Sequence, residues 1–543
     1  MKKLTSSVYT FADLIADAFL YVDKTEFIWK LVSRGKGLYF LSRPRRFGKS
    51  LTLSTLKAVF EGRSELFEGL AIAQKGYGWK PYPVIHLDLN GFRFGDVHEM
   101  EHSLRKMVRG CAAEHQVQVA DDVPENMLRD LIGALAAQEQ VVVLVDEYDK
   151  PILSNLDPDN PDRAQAILEK LKPFYSVLKA CEPLERFVLV TGVSKFSHVS
   201  MFSELNNLTD LSMHPDFATM LGYTQEELEA AFGEHIADAT RRGLERAQLL
   251  ADLKEWYDGY RFHHAAAPVY NPVSVARFFG EGCKFRNFWF STGTPTFLLK
   301  LMRDKDYRVE DALDRPVSDE AFSAFEVDRI DPLVLLYQTG YLTILSAERR
   351  GTRVRYRLGF PNQEVALSFS SHLVRHYTGA SETGLTSFQD TILDALDACD
   401  MSLLRTALDA FLAGIPYDLH LKTENNFHNV IFAVLRLVGA DVAAEQRTSS
   451  ARADAVCKTR DWIYILEFKL DGDTSALAQI RDRRYYAPYL ADPRRIMLVG
   501  VAFDTAKGTI ADWQCEELDR TRLDATPSPA GSNGPPSLQE TTP

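Results

Sequence analysis

Apolar runs of strand length alternate with amphipathic stretches through the first 200 residues. Leu38–Leu41, Tyr82–Leu89, Val141–Val145 and Arg186–Thr191 read as strands. The third is five apolar residues in a row between polar ones, the pattern of a strand buried on both faces. Helical patterns cover Leu51–Phe60, Val97–His115, Glu125–Gln138 and Pro161–Cys181, and Tyr21-Val-Asp-Lys-Thr25-Glu-Phe opens a short amphipathic helix that ends near Arg34-Gly35. Strand and helix in alternation predict a parallel sheet with helices on both faces.

Beyond residue 200 the pattern changes. Thr224 to Phe279 is helical, Lys284 to Leu373 mixes short strands with helices, and Thr386 to Ile415 is a helical linker. Glu424–Phe503 then reads as helix, three strands, helix, strand. The end, from Ala525, is rich in Pro, Ser and Gly and cannot bury a core, so disorder is expected there. The expected domains are 1–223, a connecting module 224–385, a linker 386–420, a second domain 421–510 and a tail 525–543.

Length agrees with several domains, since 543 residues exceed what one core usually organises. Six scattered cysteines without a CxxC pair argue against a zinc site or a disulfide framework and fit a reducing cytoplasm. No sustained apolar run marks a signal peptide or a membrane span, so a cytoplasmic protein without membrane contact is expected. The net charge of −13 does not suggest a nucleic-acid binder. Glu424–Phe503, with 11 Lys+Arg against 10 Asp+Glu, is more basic than the rest but carries no basic patch. His263-His264 invites a metal reading, yet neighbours on a loop face different ways, and both read as surface residues.

The chemistry begins at Arg43-Pro-Arg-Arg-Phe-Gly48-Lys49-Ser50, between a strand and a helix. Backbone N–H groups and a helix N-terminus there would hold phosphate oxygens, which makes Arg45, Arg46, Phe47, Gly48, Lys49, Ser50 and Leu51 the candidate nucleotide-binding residues. Lys49, read as an exposed loop charge, would reach the β/γ-phosphates of ATP, and the Ser50 hydroxyl would meet Mg²⁺. The pattern GxxxxGK[ST] wants Gly where Arg43 stands, so the loop must be shaped differently. About 100 residues on, Asp146 ends a strand where it would hold Mg²⁺, and Glu147 beside it would orient or activate a water. Thr191, Ser194 and Lys195 end the fourth strand, where a group sensing the γ-phosphate would sit.

A second site lies in the C-terminal part. The strand period of two puts Glu467 and Lys469 on one face of an apolar strand, and unpaired burial of such charges is costly. A divalent cation held by Asp454 and Glu467 would explain them, with Lys469 positioning or activating the attacking water. The competing reading is an edge-strand ion pair in water. In the metal-free protein, removing either carboxylate is expected to stabilise the fold by relieving repulsion.

The segments Arg43-Pro-Arg-Arg-Phe-Gly-Lys-Ser, Val145-Asp-Glu-Tyr-Asp-Lys-Pro, Thr191-Gly-Val-Ser-Lys-Phe-Ser, Asn206-Asn-Leu-Thr-Asp, Tyr257-Asp-Gly-Tyr-Arg-Phe and Glu424-Asn-Asn-Phe-His-Asn resemble a bacterial family. That family couples an AAA-ATPase-like domain to a C-terminal PD-(D/E)XK nuclease-superfamily domain. The resemblance implies a P-loop NTPase parallel sheet with flanking helices, a small α+β/helical connecting module, and an α/β restriction-endonuclease-like domain. A strand between the phosphate loop and the Asp-Glu strand, with Glu beside Asp, resembles the additional-strand, catalytic-glutamate branch of P-loop ATPases. The resemblance also makes Arg43 the family's ordinary choice. It matches Glu424, Asp454, Glu467, Lys469 and Gln479 to the nuclease positions, with Ala451 where Gly is usual. The implied cofactors are ATP and Mg²⁺, with Mn²⁺ an alternative at the nuclease-like site. DNA or RNA is the implied partner, and a homo-oligomer is one arrangement the sequence permits. The expected function is an ATPase gating a metal-dependent nuclease. The alternative is a nucleotide-switched binding protein whose nuclease-like fold only docks.

Overall fold

A computed structural model describes residues 1–157, 159–195, 208–289, 296–309, 313, 316–318, 322, 331–415, 423–437, 441–443 and 453–520. The tail 525–543, Ala451 and Asn206 lie outside the described residues. The chain divides into two compact units, Met1–Tyr377 and Thr378–Pro543. This division has no break at 223/224: the segment after 223 packs as part of the first unit, and the expected helical linker is part of the second.

The first unit is built on five parallel strands: β1 (Gly37–Ser42), β2 (Val84–Asp88), β3 (Val141–Asp146), β4 (Glu185–Gly192) and β5 (Thr209–Asp210), in the order β2-β3-β4-β1-β5. β3 is fully buried along Val141–Val145, as its unbroken apolar run requires. The strand that follows the loop in sequence, β2, goes to the sheet edge, and β4 comes between β1 and β3. Helices Lys49–Phe60, Val97–Glu114, Pro124–Ala136 and Pro161–Ala180 flank the sheet. Asp96 caps the second of these by accepting the Glu99 N–H at 2.8 Å. Further on, β6 (Val317–Ser318), β7 (Thr343–Arg350) and β8 (Arg353–Gly359) make a small antiparallel sheet among helices.

Glu185, at the start of β4, is fully buried, and neither carboxyl oxygen has a hydrogen-bond partner. Burial pushes its pKa up to about 8; Lys36 pulls against this and Glu182 adds to it. The folded chain therefore holds this proton more tightly than the unfolded one. The stability this supplies is complete below the ordinary value of 4.5 and is lost as pH rises through 8. Glu185→Gln is expected to melt with wild type at pH 5 and to be more stable by about 1–3 kcal/mol near pH 9. Thermal melts at the two pH values check this, and an equal difference at both would contradict it.

In the second unit, β9 (Asp441–Ala443), β10 (Ala455–Lys458), β11 (Trp462–Leu470), β12 (Arg495–Asp504) and β13 (Thr509–Glu517) form a mixed sheet in the order β13-β12-β11-β10-β9. Only β11 and β12 run parallel. Helices Glu382–Ala398, Met401–Ala413, Glu424–Leu437 and Ala476–Asp482 accompany it. The sequence reading missed β13 and closed this domain at 510. The last helix stops at Asp482, and a 3-10 turn follows at Ala487–Tyr489. No helix among the described residues is long and apolar enough to cross a membrane.

Candidate functional site

β1 delivers the chain into the loop 43–48, and helix Lys49–Phe60 leaves from it. Gly48 caps that helix at φ 93°, a left-handed conformation that glycine adopts without a Cβ penalty. Arg43 lies buried behind the loop. Its guanidinium donates to the carbonyls of Ser42 (2.9 Å), Ser212 (2.6 Å) and Phe217 (3.2 Å) and stacks 4.1 Å from the Phe262 ring centre. Its backbone N–H reaches Gly192 O on β4 at 3.1 Å. The loop is thus held from outside by a side chain rather than folded tightly on a glycine. Phe47 packs edge-on against Tyr260 and Phe262, Arg46 bonds the Phe288 carbonyl, and Trp289 donates to Arg45 O at 3.3 Å.

Lys49 is not an exposed loop charge. It is 6% exposed, and its ammonium donates to the carbonyls of Arg43 (2.9 Å) and Pro44 (3.0 Å). Burial lowers its pKa, and Asp146, Glu147 and Asp149 oppose that shift. Ser50 Oγ donates to Asp146 Oδ2 at 2.5 Å, and the Thr191 hydroxyl donates to Asp146 Oδ1 at 2.8 Å. The pair Ser50–Asp146 offers hard oxygen donors at a helix N-terminus, a set that suits Mg²⁺. Glu147 sits at φ 53°, a strained backbone for a non-glycine residue; its carbonyl accepts the Lys150 N–H at 3.0 Å, while its carboxylate accepts no hydrogen bond from a described residue. Burial raises its pKa, while Lys49 lowers it.

Asp149 accepts from Val193 N (3.0 Å), Ser194 N (2.7 Å) and Ser194 Oγ (2.6 Å), which ties the end of β3 to the end of β4. A Cβ on Gly192 would come within 2.5 Å of the Tyr148 ring and 2.8 Å of Asp149 Oδ1, so glycine is required for this approach. Lys195 pairs with Asp210 at 2.5 Å. A cavity of about 860 Å³ runs from Arg45–Thr52 past Glu147 and Asp149 to the N-terminal segment around Tyr9.

In the second unit, β11 is an interior strand and Glu467 is 2% exposed, which excludes a solvated edge-strand ion pair. Glu467 Oε1 accepts from Lys469 Nζ at 2.8 Å and from Gln479 Nε2 on helix Ala476–Asp482. Gln479 also reaches Tyr485 Oη at 2.9 Å. Asp454, one residue before β10, accepts the Phe468 N–H at 2.7 Å through Oδ2. Its Oδ1 lies 3.2 Å from Nε2 of His428, a fully buried residue on helix Glu424–Leu437. Burial first, and Asp454 second, raise the pKa of Glu467. Its second oxygen, Oε2, is buried without a hydrogen-bond partner. A buried carboxylate oxygen left over beside a second acid is what a divalent cation site needs, so these residues fit a bound metal.

Two family models match the chain. The model described as Predicted AAA-ATPase covers residues 6–202, and that of the PD-(D/E)XK nuclease superfamily covers 422–513. The uncharacterized protein in the vnfD 5' region of Azotobacter chroococcum mcd 1 is 36% identical over 531 residues, covering 95% of this chain and 99% of the relative. The chain belongs to this two-module family. It carries an AAA-ATPase-like module and a C-terminal PD-(D/E)XK nuclease-like module.

Within this AAA-ATPase-like module, Gly48, Lys49, Ser50, Asp146 and Glu147 come together around one loop. Thr191 turns to Asp146, Ser194 to Asp149 and Lys195 to Asp210, so none of the three is left to face the cavity unengaged. In the nuclease-like module Glu467, Lys469 and Gln479 converge, with Asp454 adjoining. Glu424 begins its helix, but its side chain lies outside the described residues. His428, one turn on, was missed as a site residue; its spacing of four from Glu424 was the available signal. The His263 and His264 rings do not diverge: they lie 4.3 Å apart. No cluster of three metal-binding side chains occurs among the described residues.

Proposed function

We propose that this protein binds and hydrolyses ATP at the phosphate loop and uses that cycle to control a metal-dependent nuclease on the same chain. The observation that carries the reading is the Ser50–Asp146 contact at the head of the helix, with Glu147 on the lining of the same cavity and its carboxylate not hydrogen-bonded to any described residue. Gly48, Lys49, Ser50 and Leu51 at the helix head, with Arg45, Arg46 and Phe47 before them, hold the phosphates through backbone N–H groups and the Lys49 charge. Ser50 and Asp146 would hold Mg²⁺, which neutralises phosphate charge when bound. Glu147, with its pKa raised by burial, takes the proton of the attacking water.

In the nuclease-like module Asp454 and Glu467, with Glu424, would hold Mg²⁺ or Mn²⁺, which supplies Lewis acidity toward a phosphodiester. Lys469 positions the attacking water, and Gln479 fixes the Glu467 carboxylate. The substrate class is DNA or RNA. One observation favours the docking alternative: both Asp454 oxygens already have partners.

Glu147→Gln decides the first half. Wild-type ATP affinity with hydrolysis slowed by about 10²–10⁴-fold is expected, the usual size of a lost general base. Binding and turnover falling together would make Glu147 structural. Asp149, whose carboxylate already accepts from Val193 and Ser194, does not offer a second general base.

A further inference from the structure

The cavity that begins at the phosphate loop continues well past it, and its two ends differ in chemistry. At one end are the helix N-terminus, Lys49, Ser50 and the acids of β3. At the other, Val8, Leu20, Val22, Met220 and Leu221 make an apolar wall. The cation at that far end, Lys24, is already engaged: its ammonium donates to Thr219 O (2.8 Å) and to both Glu227 oxygens (2.7 and 2.6 Å). It has no charge left for a second anion, so the far end suits a flat, uncharged ring.

Tyr9 stands on the lining of this cavity and is 63% exposed, the most exposed aromatic residue among the described ones. The backbone around it is fixed on both sides. Thr5 Oγ1 accepts the Ser7 and Val8 N–H groups at 3.2 Å, which turns the segment. The Phe11 N–H donates to Ser54 Oγ at 2.9 Å, which fastens the segment to the same helix whose first turn carries Lys49 and Ser50. The backbone that carries the ring is therefore held at a set place relative to the phosphate loop, and the ring itself is not packed into the core. At about 860 Å³ the cavity is of the size that small-molecule sites occupy.

We infer that residues 5–9 form the nucleobase end of the ATP site, with Tyr9 stacking on the base and Val8, Leu20 and Met220–Leu221 enclosing it. The inference rests on the ATP reading above and adds to it the residues that recognise the base. Tyr9 is a binding residue here and takes no part in the chemistry at the γ-phosphate.

Calorimetric titration of the full chain with Mg-ATP, Mg-ADP and Mg-tripolyphosphate separates base contacts from phosphate contacts. Tyr9→Ala is expected to weaken ATP and ADP by about tenfold, the size of one base–aromatic stack. Tripolyphosphate binding should not change, and Tyr9→Phe should bind all three like wild type. Equal weakening of ATP and tripolyphosphate, or unaltered ATP binding, overturns the base site. If that occurs while Lys49→Ala still abolishes ATP binding, the phosphate loop stands and only the base site falls. If wild type binds neither ATP nor tripolyphosphate, the phosphate-loop reading fails and takes the base site with it.

Discussion

Lys49→Ala is expected to abolish ATP binding and turnover and also to lower the melting temperature. The first effect follows from removing the charge at the head of the phosphate-binding helix. The second follows from burial, because the ammonium satisfies the Arg43 and Pro44 carbonyls inside the loop. Stranding buried acceptors costs about 1–3 kcal/mol. A methyl group in place of the ammonium also leaves Asp146, Glu147 and Asp149 without the cation that opposes their mutual repulsion. ATP titration and a thermal melt check the two effects separately. Unchanged turnover would remove the ATPase reading, and unchanged melting would show that the loop relaxes to pair its carbonyls another way.

The other large effect is expected at Glu467. Loss of this side chain should reduce metal-dependent cleavage by ~10³-fold or more, since a Lewis acid supplies several kcal/mol of transition-state stabilisation. Glu467→Gln should also raise the melting temperature of the metal-free protein, because a buried carboxylate oxygen without a partner no longer has to carry charge. Wild type should gain stability with Mg²⁺ or Mn²⁺, by about 2.7 kcal/mol at a hundredfold excess over Kd, and Glu467→Gln should not. Asp454→Ala is different from the expectation drawn from sequence. It removes the acceptor of the Phe468 N–H and the partner of His428, so it should melt lower, not higher, while losing cleavage as well. Lys469→Ala should keep the metal-induced shift and lose cleavage. Absence of both the shift and cleavage in wild type would favour the docking role.

The parallel sheet was legible because burial on both faces forces unbroken apolar runs, and a five-residue run such as Val141–Val145 has few other meanings. β5 was not, since two residues joined to β1 carry no periodicity. β13 escaped because only Ile510 along it is buried, which leaves no apolar alternation to read. Pairing within β11 was legible from its period of two. Arg43 was visible as a departure from the loop pattern, but its function was not. Its partners Ser212 and Phe217 lie about 170 residues away, and nothing local announces them. His428 carried a local signal in its spacing of four from Glu424, but an apolar helix does not say which strand that face will meet, so its Asp454 partner was not legible.

Arg43 bears on how such proteins are assembled over time. A phosphate loop closed by glycine is complete in itself and can be passed between chains as a cassette with its sheet. Here the loop borrows its shape from carbonyls of the 212–217 segment and from the face of Phe262. Recombination ending soon after the AAA-ATPase-like match, at 202, would carry the arginine away from the groups that neutralise its burial. The loop and the groups that shape it all lie within the first unit, Met1–Tyr377, so physically the loop belongs to that longer stretch rather than to the matched segment alone.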